Sequence, residues 1–344
     1  MSRVPVYLLS GFLGSGKTTL LNALLKAPEF ANTAVVVNEF GEIALDHLLI
    51  ERSREGVMLL EAGCLCCTIA DSLHETLADL NFRKVRGEVP AFERVVIETT
   101  GLADPAPILN TLLGNPLVTD HYTLDGVVIT VDAQHALAGL DAHPEVAKQI
   151  ALADRIVVTK LDIADSAAQL MPRLARLNPA AVVLESRRGS AALAAFAPGD
   201  MNRVRDLPAR PVLPRHRHGT NRHDEHIRAY AFVLEKPVSW AGIAAWSRLA
   251  AATFGDRLLR CKGLLEIPDT GEIVFVQSVQ RVFHRPERLR GWPDADHRSR
   301  ITCIGRDVDE AELRLSLRAL SLPAGSEATV SLEDLNFESA DGRR

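Results

Sequence analysis

The sequence predicts an α/β protein whose mostly parallel sheet is covered by helices and is followed by a smaller α+β domain. Apolar, β-branched runs recur with helix-like segments between them, and a glycine-rich loop joins the first run to an amphipathic stretch. A proline- and histidine-bearing segment then separates two halves of different pattern.

The first run, residues 4–9, reads as a buried strand. It leads into Gly11-Phe12-Leu13-Gly14-Ser15-Gly16-Lys17-Thr18, which matches the phosphate-binding loop at every fixed position. Residues 19–26 then carry apolar side chains at helical spacing. Strand, loop and helix in this order predict a P-loop NTPase domain. Glycines let the backbone wrap closely enough for consecutive N–H groups to face phosphate oxygens at a helix N-terminus. Gly11, Gly14, Ser15, Gly16 and Thr19 would form that cradle. Lys17 would reach the β- and γ-phosphates, and the Thr18 hydroxyl would ligate Mg²⁺.

Further strands are expected at residues 33–37, 94–97, 126–131, 155–158 and 181–184. Ligands of such sheets sit at the carboxyl ends of the strands, and polar residues gather at those ends here. Glu98 follows its strand and precedes Thr99-Thr100-Gly101, placing an acid for Mg²⁺ beside the phosphate loop and a Gly101 amide within reach of the γ-phosphate. Asn38-Glu39-Phe40-Gly41-Glu42 follows the second run, and Glu39 and Glu42 could serve Mg²⁺ or a second metal. Thr159-Lys160-Leu161-Asp162 resembles the Asn-Lys-x-Asp guanine motif of GTPases, with threonine for asparagine. Asp162, expected to be buried, would accept two hydrogen bonds that adenine lacks, and Lys160 would lay its stem along the base.

Three of the five cysteines fall in Cys64-Leu65-Cys66-Cys67. Thiolates favour Zn²⁺, Co²⁺ or copper over Mg²⁺, and three of them leave a tetrahedral shell one ligand short. Such a loop suits transient holding better than a closed structural site. Glu42, a histidine, water or a recipient protein could complete it, while burial of the cysteines as small apolar groups or thiol redox chemistry are the competing readings. Cys261 and Cys303, isolated in apolar contexts, read as buried small hydrophobes.

The 344-residue chain has room for two domains, and its 47% apolar content is ordinary for a globular protein. With 39 Lys and Arg against 44 Asp and Glu, it offers no overall field for nucleic acid or anionic membrane. No apolar run reaches membrane-spanning length, and the N-terminal run passes straight into the phosphate loop without a signal peptide, so a cytoplasmic protein is expected. Four parts follow: a GTPase domain over 1–207, a Pro/His/Arg-rich linker over 208–226, a C-terminal domain over 227–322, and a partly disordered tail over 323–344. In the linker, His216, His218, His223 and His226 either gather metal or are simply solvated. The C-terminal domain is expected to begin with a strand from Ile227. A helix near 240–253, strands through 277–283 and 301–304, and a helix near 310–320 follow.

Taken together, these five motifs resemble the CobW-type GTPases, a family that includes CobW, YjiA proteins, nitrile hydratase activators and zinc chaperones. Lys262-Gly263-Leu264-Leu265, Gln277-Ser278-Val279-Gln280-Arg281, Trp292 and Ile304-Gly305 resemble the family's C-terminal domain. The likeness is nearest to the YjiA branch, whose guanine motif also begins with threonine. It implies GTP/GDP and Mg²⁺ on the phosphate loop, Zn²⁺ or Co²⁺ at Cys64, Cys66 and Cys67, and hydrolysis that gates delivery to a client metalloprotein. Lys17, Glu39 and Glu98 would carry the catalytic step. Val37 stands where some YjiA-type relatives carry a metal-binding glutamate, which would weaken an auxiliary site using Glu42. No catalytic glutamine or arginine finger is evident, so slow intrinsic turnover is expected. A P-loop small-molecule kinase and a thiol redox or zinc-sensing module are the alternatives, and neither accounts for all five motifs.

Overall fold

Four consecutive residues of the first strand, Val6, Tyr7, Leu8 and Leu9, are all buried. Successive side chains of a strand point to opposite faces, so both faces of this sheet are covered, as a parallel sheet requires. The structure, a computed structural model, describes residues 3–38, 58–61, 69–164, 167–197 and 226–323. The chain divides into two compact units, Met1–Ala175 with Ala181–Asp200, and Arg176–Ala180 with Met201–Arg344.

The first unit holds a seven-stranded sheet in the order β3-β2-β4-β1-β5-β6-β7, every neighbouring pair parallel. Its strands are β1 (Val4–Gly11), β2 (Thr33–Asn38), β3 (Met58–Glu61), β4 (Arg94–Thr99), β5 (Tyr122–Asp132), β6 (Arg155–Thr159) and β7 (Val182–Glu185). Helices α1 (Lys17–Leu25), α2 (Ile69–Val85), α3 (Pro105–Gly114), α4 (Pro116–Thr119), α5 (Ala136–Ala142), α6 (Pro144–Leu152), α7 (Ala167–Leu177) and α8 (Ala192–Ala195) connect or cover them. Six strands lie where the apolar runs put them. The edge strand β3 was not anticipated, because four residues are too few for a periodic signal. β5 starts four residues before the apolar run it was read from. Asp125 directly precedes that run, but it is buried and accepts a hydrogen bond from the Tyr7 hydroxyl, so the strand extends back through it. Burial and that carboxylate together push the Tyr7 phenol far above its ordinary range.

The second unit is α+β, as expected. Its antiparallel sheet runs β11-β10-β9-β13-β8, with β12 also pairing with β10. The strands are β8 (Ile227–Val233), β9 (Leu258–Ile267), β10 (Glu272–Val279), β11 (Val282–Phe283), β12 (Glu287–Leu289) and β13 (Arg300–Arg306). Helices α9 (Trp240–Thr253) and α10 (Glu310–Ser316) flank it, the latter continuing as a 3-10 turn over Leu317–Ser321. Trp246, Phe254, Leu265 and Leu320 belong to its core. The strand expected through residues 277–283 is a hairpin: Val279 pairs with Val282, and Gln280 at φ 52° reverses the chain. Cys261 and Cys303 are buried as expected, but they are not isolated. They face each other across β9 and β13 with Sγ atoms 2.9 Å apart, and burial pushes the Cys303 thiol up.

Candidate functional site

The phosphate loop rests on a set of buried hydroxyls. Ser15 Oγ lies 2.7 Å from Thr130 Oγ1, and Thr99 Oγ1 donates to Ser10 Oγ at 2.7 Å. Thr159 Oγ1 donates to the Ser15 carbonyl at 2.8 Å. Four neighbouring strands, β1, β4, β5 and β6, thereby hold the loop from beneath, with every hydroxyl satisfied inside the protein. Gly11 is required twice over: its φ is 141°, and a Cβ there would lie 2.4 Å from Thr130 Oγ1. The Lys17 ammonium donates to the carbonyls of Gly11 and Phe12 at 3.0 and 3.2 Å, which holds it over the loop.

Glu98 leaves β4 directly beside this loop, since β4 and β1 pair with Leu9 opposite Glu98. The Thr18 hydroxyl donates to Glu98 Oε1 at 3.2 Å. A buried carboxylate and a hydroxyl converging in this way are an oxygen donor set suited to a hard divalent cation. Gly101 then packs against the loop itself, for a Cβ there would stand 2.6 Å from the Leu13 nitrogen and 2.7 Å from its Cα. The segment ends at Asp104, which caps α3 by accepting from the Ala106 N–H. From the other side α6 grips it: Gln149 Nε2 donates to the carbonyls of Gly101 and Ala103 at 3.2 and 3.1 Å, and Lys148 pairs with Asp104 at 2.5 Å.

On the base side the arrangement differs from expectation. The Thr159 hydroxyl donates to the phosphate loop, at the Ser15 carbonyl. Lys160 sits at φ 57° and its ammonium bonds Asp132 Oδ2 at 2.8 Å, leaving the stem free to flank a planar ring. Burial opposes ionisation of Asp132, but hydrogen bonds from Lys160, His135 and the Gln134 N–H outweigh it and hold the carboxyl below its ordinary range. Asp162, expected to be buried, is exposed. A docked base would itself have to cover it, and the hydrogen bonds would become discriminating only then. Val37 is buried in β2 opposite Glu98.

The expected metal ligands Glu39, Glu42, Cys64, Cys66 and Cys67 lie outside the described residues, as do His216, His218 and His223. His226 is described: it directly precedes β8, and its Nδ1 lies 2.6 Å from Asp307 Oδ1. Among the described residues, no group of three or more His, Cys, Asp or Glu side chains is placed to hold a metal ion. Among them too, no helix is long and apolar enough to cross a membrane. Thr130, Asp132 and Gln149 were not anticipated. Asp132 had a usable signal, a carboxylate closing an apolar strand at the ligand edge, which is the signal that marked Glu98.

Residues 5–185 match the family model described as CobW/HypB/UreG, nucleotide-binding domain, and residues 227–321 match the cobalamin synthesis protein cobW C-terminal domain. The chain belongs to the CobW/HypB/UreG family. Within that family it is 34% identical to the zinc chaperone YjiA of Escherichia coli over 93% of this chain and 99% of the relative. It is 29% identical to the zinc chaperone CobW of Pseudomonas aeruginosa, covering 92% of each. A similar solved structure is that of the Zn(II)-bound YjiA GTPase from E. coli, with TM-score 0.68 and 29% identity over 93% of this chain and 99% of that one. A Zn(II)-bound triple mutant of the YjiA GTPase gives TM-score 0.70 and 30% identity, covering 94% of this chain and all of that one.

Proposed function

We propose that this CobW-family protein is a GTP-hydrolysing metallochaperone that couples its nucleotide state to the binding of Zn²⁺ or Co²⁺ and to transfer of that cargo to a client metalloprotein. The observation that carries the proposal is the contact between two loops: Glu98 and Gly101 lie directly on the phosphate loop, at Thr18 and Leu13. A change at the γ-phosphate is therefore felt at once by the segment that follows β4.

GTP would lie on the N–H groups of Gly14, Ser15 and Gly16 at the start of α1, where the loop and the helix end both favour anions. Lys17 exchanges its two carbonyl partners for the β- and γ-phosphates. Mg²⁺, which neutralises phosphate charge as the γ-phosphoryl leaves, fits the oxygen pair of Thr18 and Glu98, and Glu39 is proposed to support it. Gly101 offers its amide to the γ-phosphate, and Lys160 and Asp162 orient and select guanine. With no catalytic glutamine or arginine among these residues, intrinsic hydrolysis is slow.

The cargo is assigned to Cys64, Cys66 and Cys67, with Glu42 as a further ligand. Cys64 follows the last residue of β3 by three positions, and β3 is the parallel neighbour of β2, which itself pairs with β4. β3 ends at Glu61, opposite Val37 of β2, which itself pairs with Glu98, so in sequence the cysteines follow the strand end on Glu98's side of the sheet. Nucleotide and cargo are then linked, so GTP must tighten metal binding by the factor by which metal tightens GTP. Zn²⁺ and Co²⁺ titrations of protein loaded with GDP or with a nonhydrolysable GTP analogue test this, alongside a Cys64/Cys66/Cys67→Ala variant. Tighter binding in the analogue state, lost in the triple variant, is the expected result. Equal affinities in the two states would sink the coupling. A nucleotide-independent thiol response that survives Lys17→Ala would favour the redox or zinc-sensing reading.

A further inference from the structure

Asp132 is the last residue of β5 and Lys160 directly follows β6. The two strands run parallel with Asp132 opposite Thr159, so the carboxylate and the lysine stand side by side. The Lys160 side chain is 35% exposed and that of Asp132 only 11%. A lysine with that much exposure ordinarily moves among many rotamers. Here its ammonium is tied to a carboxylate that is itself held: Asp132 Oδ1 accepts from the Gln134 N–H at 2.8 Å, and Oδ2 lies 2.9 Å from His135 Nδ1.

The backbone is fixed as firmly. Lys160 sits at φ 57°, a conformation that residues with side chains rarely adopt and that persists only where the surroundings impose it. They impose it from both sides. Thr159 is bonded through its hydroxyl to the Ser15 carbonyl and through its own carbonyl to the Ala133 N–H at 3.0 Å, and the Ile163 N–H closes a turn onto the Lys160 carbonyl at 3.2 Å. An ion pair with a partner this exposed contributes little to stability, so stability alone does not account for so constrained a lysine.

We propose that Asp132 is a positioning residue for nucleotide binding, which sets the Lys160 stem in place as the rest for guanine before the nucleotide arrives. The proposal rests on the reading that Lys160 flanks the base, and it names the residue that makes this contact rigid. A stem already pinned in the free protein spares the complex the cost of ordering a long, flexible side chain. Charge alone points the other way, because removing a carboxylate near an anionic ligand should tighten its binding. Weaker binding without the carboxylate is therefore diagnostic.

Asp132→Asn keeps the shape, lets Oδ1 go on accepting from Gln134 and turns an amide donor toward Lys160. In calorimetric titrations of the full-length chain, GDP affinity is expected to fall by at least about threefold, the scale set by immobilising one such side chain. A nonhydrolysable GTP analogue should lose the same factor, because it carries the same base. Lys160→Met retains an apolar stem but breaks the ion pair from its exposed partner, so it should cost a similar factor. Adding Asp132→Asn to Lys160→Met should then cost less than about twofold more, whereas a merely structural Asp132 would lower affinity equally on both backgrounds. Lys160→Ala, which removes the stem as well, separates the two levels of the argument. GDP affinity untouched by Lys160→Ala would mean that Lys160 does not flank the base, and both readings would fall. A loss in Lys160→Ala without one in Asp132→Asn or in Lys160→Met, unequal losses for GDP and the analogue, or equal losses on the two backgrounds would each overturn the positioning role alone.

Discussion

Beneath the phosphate loop, Ser10, Ser15, Thr99 and Thr130 are buried and bonded in pairs across β1, β4 and β5, while on the base side Asp162 stands in solvent. The two halves of one nucleotide site are thus prepared to different degrees. Phosphate recognition is built into the sheet, where the loop's hydroxyls and carbonyls are fixed before any ligand arrives. In the proposed assignment, base recognition would rest on one exposed carboxylate, Asp162, and on the stem of Lys160, whose ammonium is anchored to Asp132. With these proposed roles, the GTPase would hold phosphate on a prepared loop and identify guanine by what the base covers when it binds.

The largest effect should come from the contact most sensitive to added volume. Gly101→Ala would drive a methyl group into the Leu13 backbone, and displacement of this segment should lower GTP turnover by at least about 100-fold. Single-turnover hydrolysis measures it, and wild-type rates would show that the segment need not lie on the loop. Next, Thr159→Val removes the buried bond to Ser15 and should cost about 1–3 kcal/mol of stability, read by chemical denaturation. Its preference for GTP over ATP should be unchanged, whereas an altered preference would return Thr159 to the base side and break the comparison.

Asp162→Ala should do the reverse. Guanine preference should fall by about tenfold in a competition assay, while stability, as for most surface substitutions, stays within ~0.5 kcal/mol. Undiminished selectivity would leave guanine recognition to other residues. The smallest effect concerns acid. The folded-state carboxyl of Asp132 titrates below its ordinary range, so its contribution is complete above the unfolded value of about 3.9 and is lost as pH falls through the lower folded value. The stability advantage of wild type over Asp132→Asn should therefore be constant near neutrality and shrink only in acid. An advantage that grew on acidification would contradict the assignment.

How far the site could be read in advance depended on how local its logic is. Gly11 through Thr18 act through the conformation of consecutive residues, and the spacing alone exposes that. Glu98 was legible because the apolar run Val95-Val96-Ile97 in its strand is closed by that carboxylate. Thr159 was identified as part of a motif but given no partner, since nothing nearby in sequence shows that its hydroxyl meets the Ser15 carbonyl. Gln149 carried no signal at all: it is one polar residue on an otherwise ordinary helix, and its two carbonyl acceptors lie more than forty positions away. In the second unit, the turn at Gln280 and Arg281 was hidden inside what read as one strand. It is held partly by Arg281, which bonds both oxygens of Asp256 at 2.8 Å.

By itself the sequence determined the fold class, the order of the elements, the phosphate loop and the kind of chemistry at its edge. Each of these follows from the conformational limits of neighbouring residues or from the period of apolar side chains along a strand or helix. The tertiary structure alone decided that Thr159 braces the loop, that Lys160 is anchored to Asp132, that Asp162 is exposed, and that Gln149 ties α6 to Gly101. These depend on which strands become neighbours and on how closely backbones approach, and both are set by the packing of residues far apart in the chain.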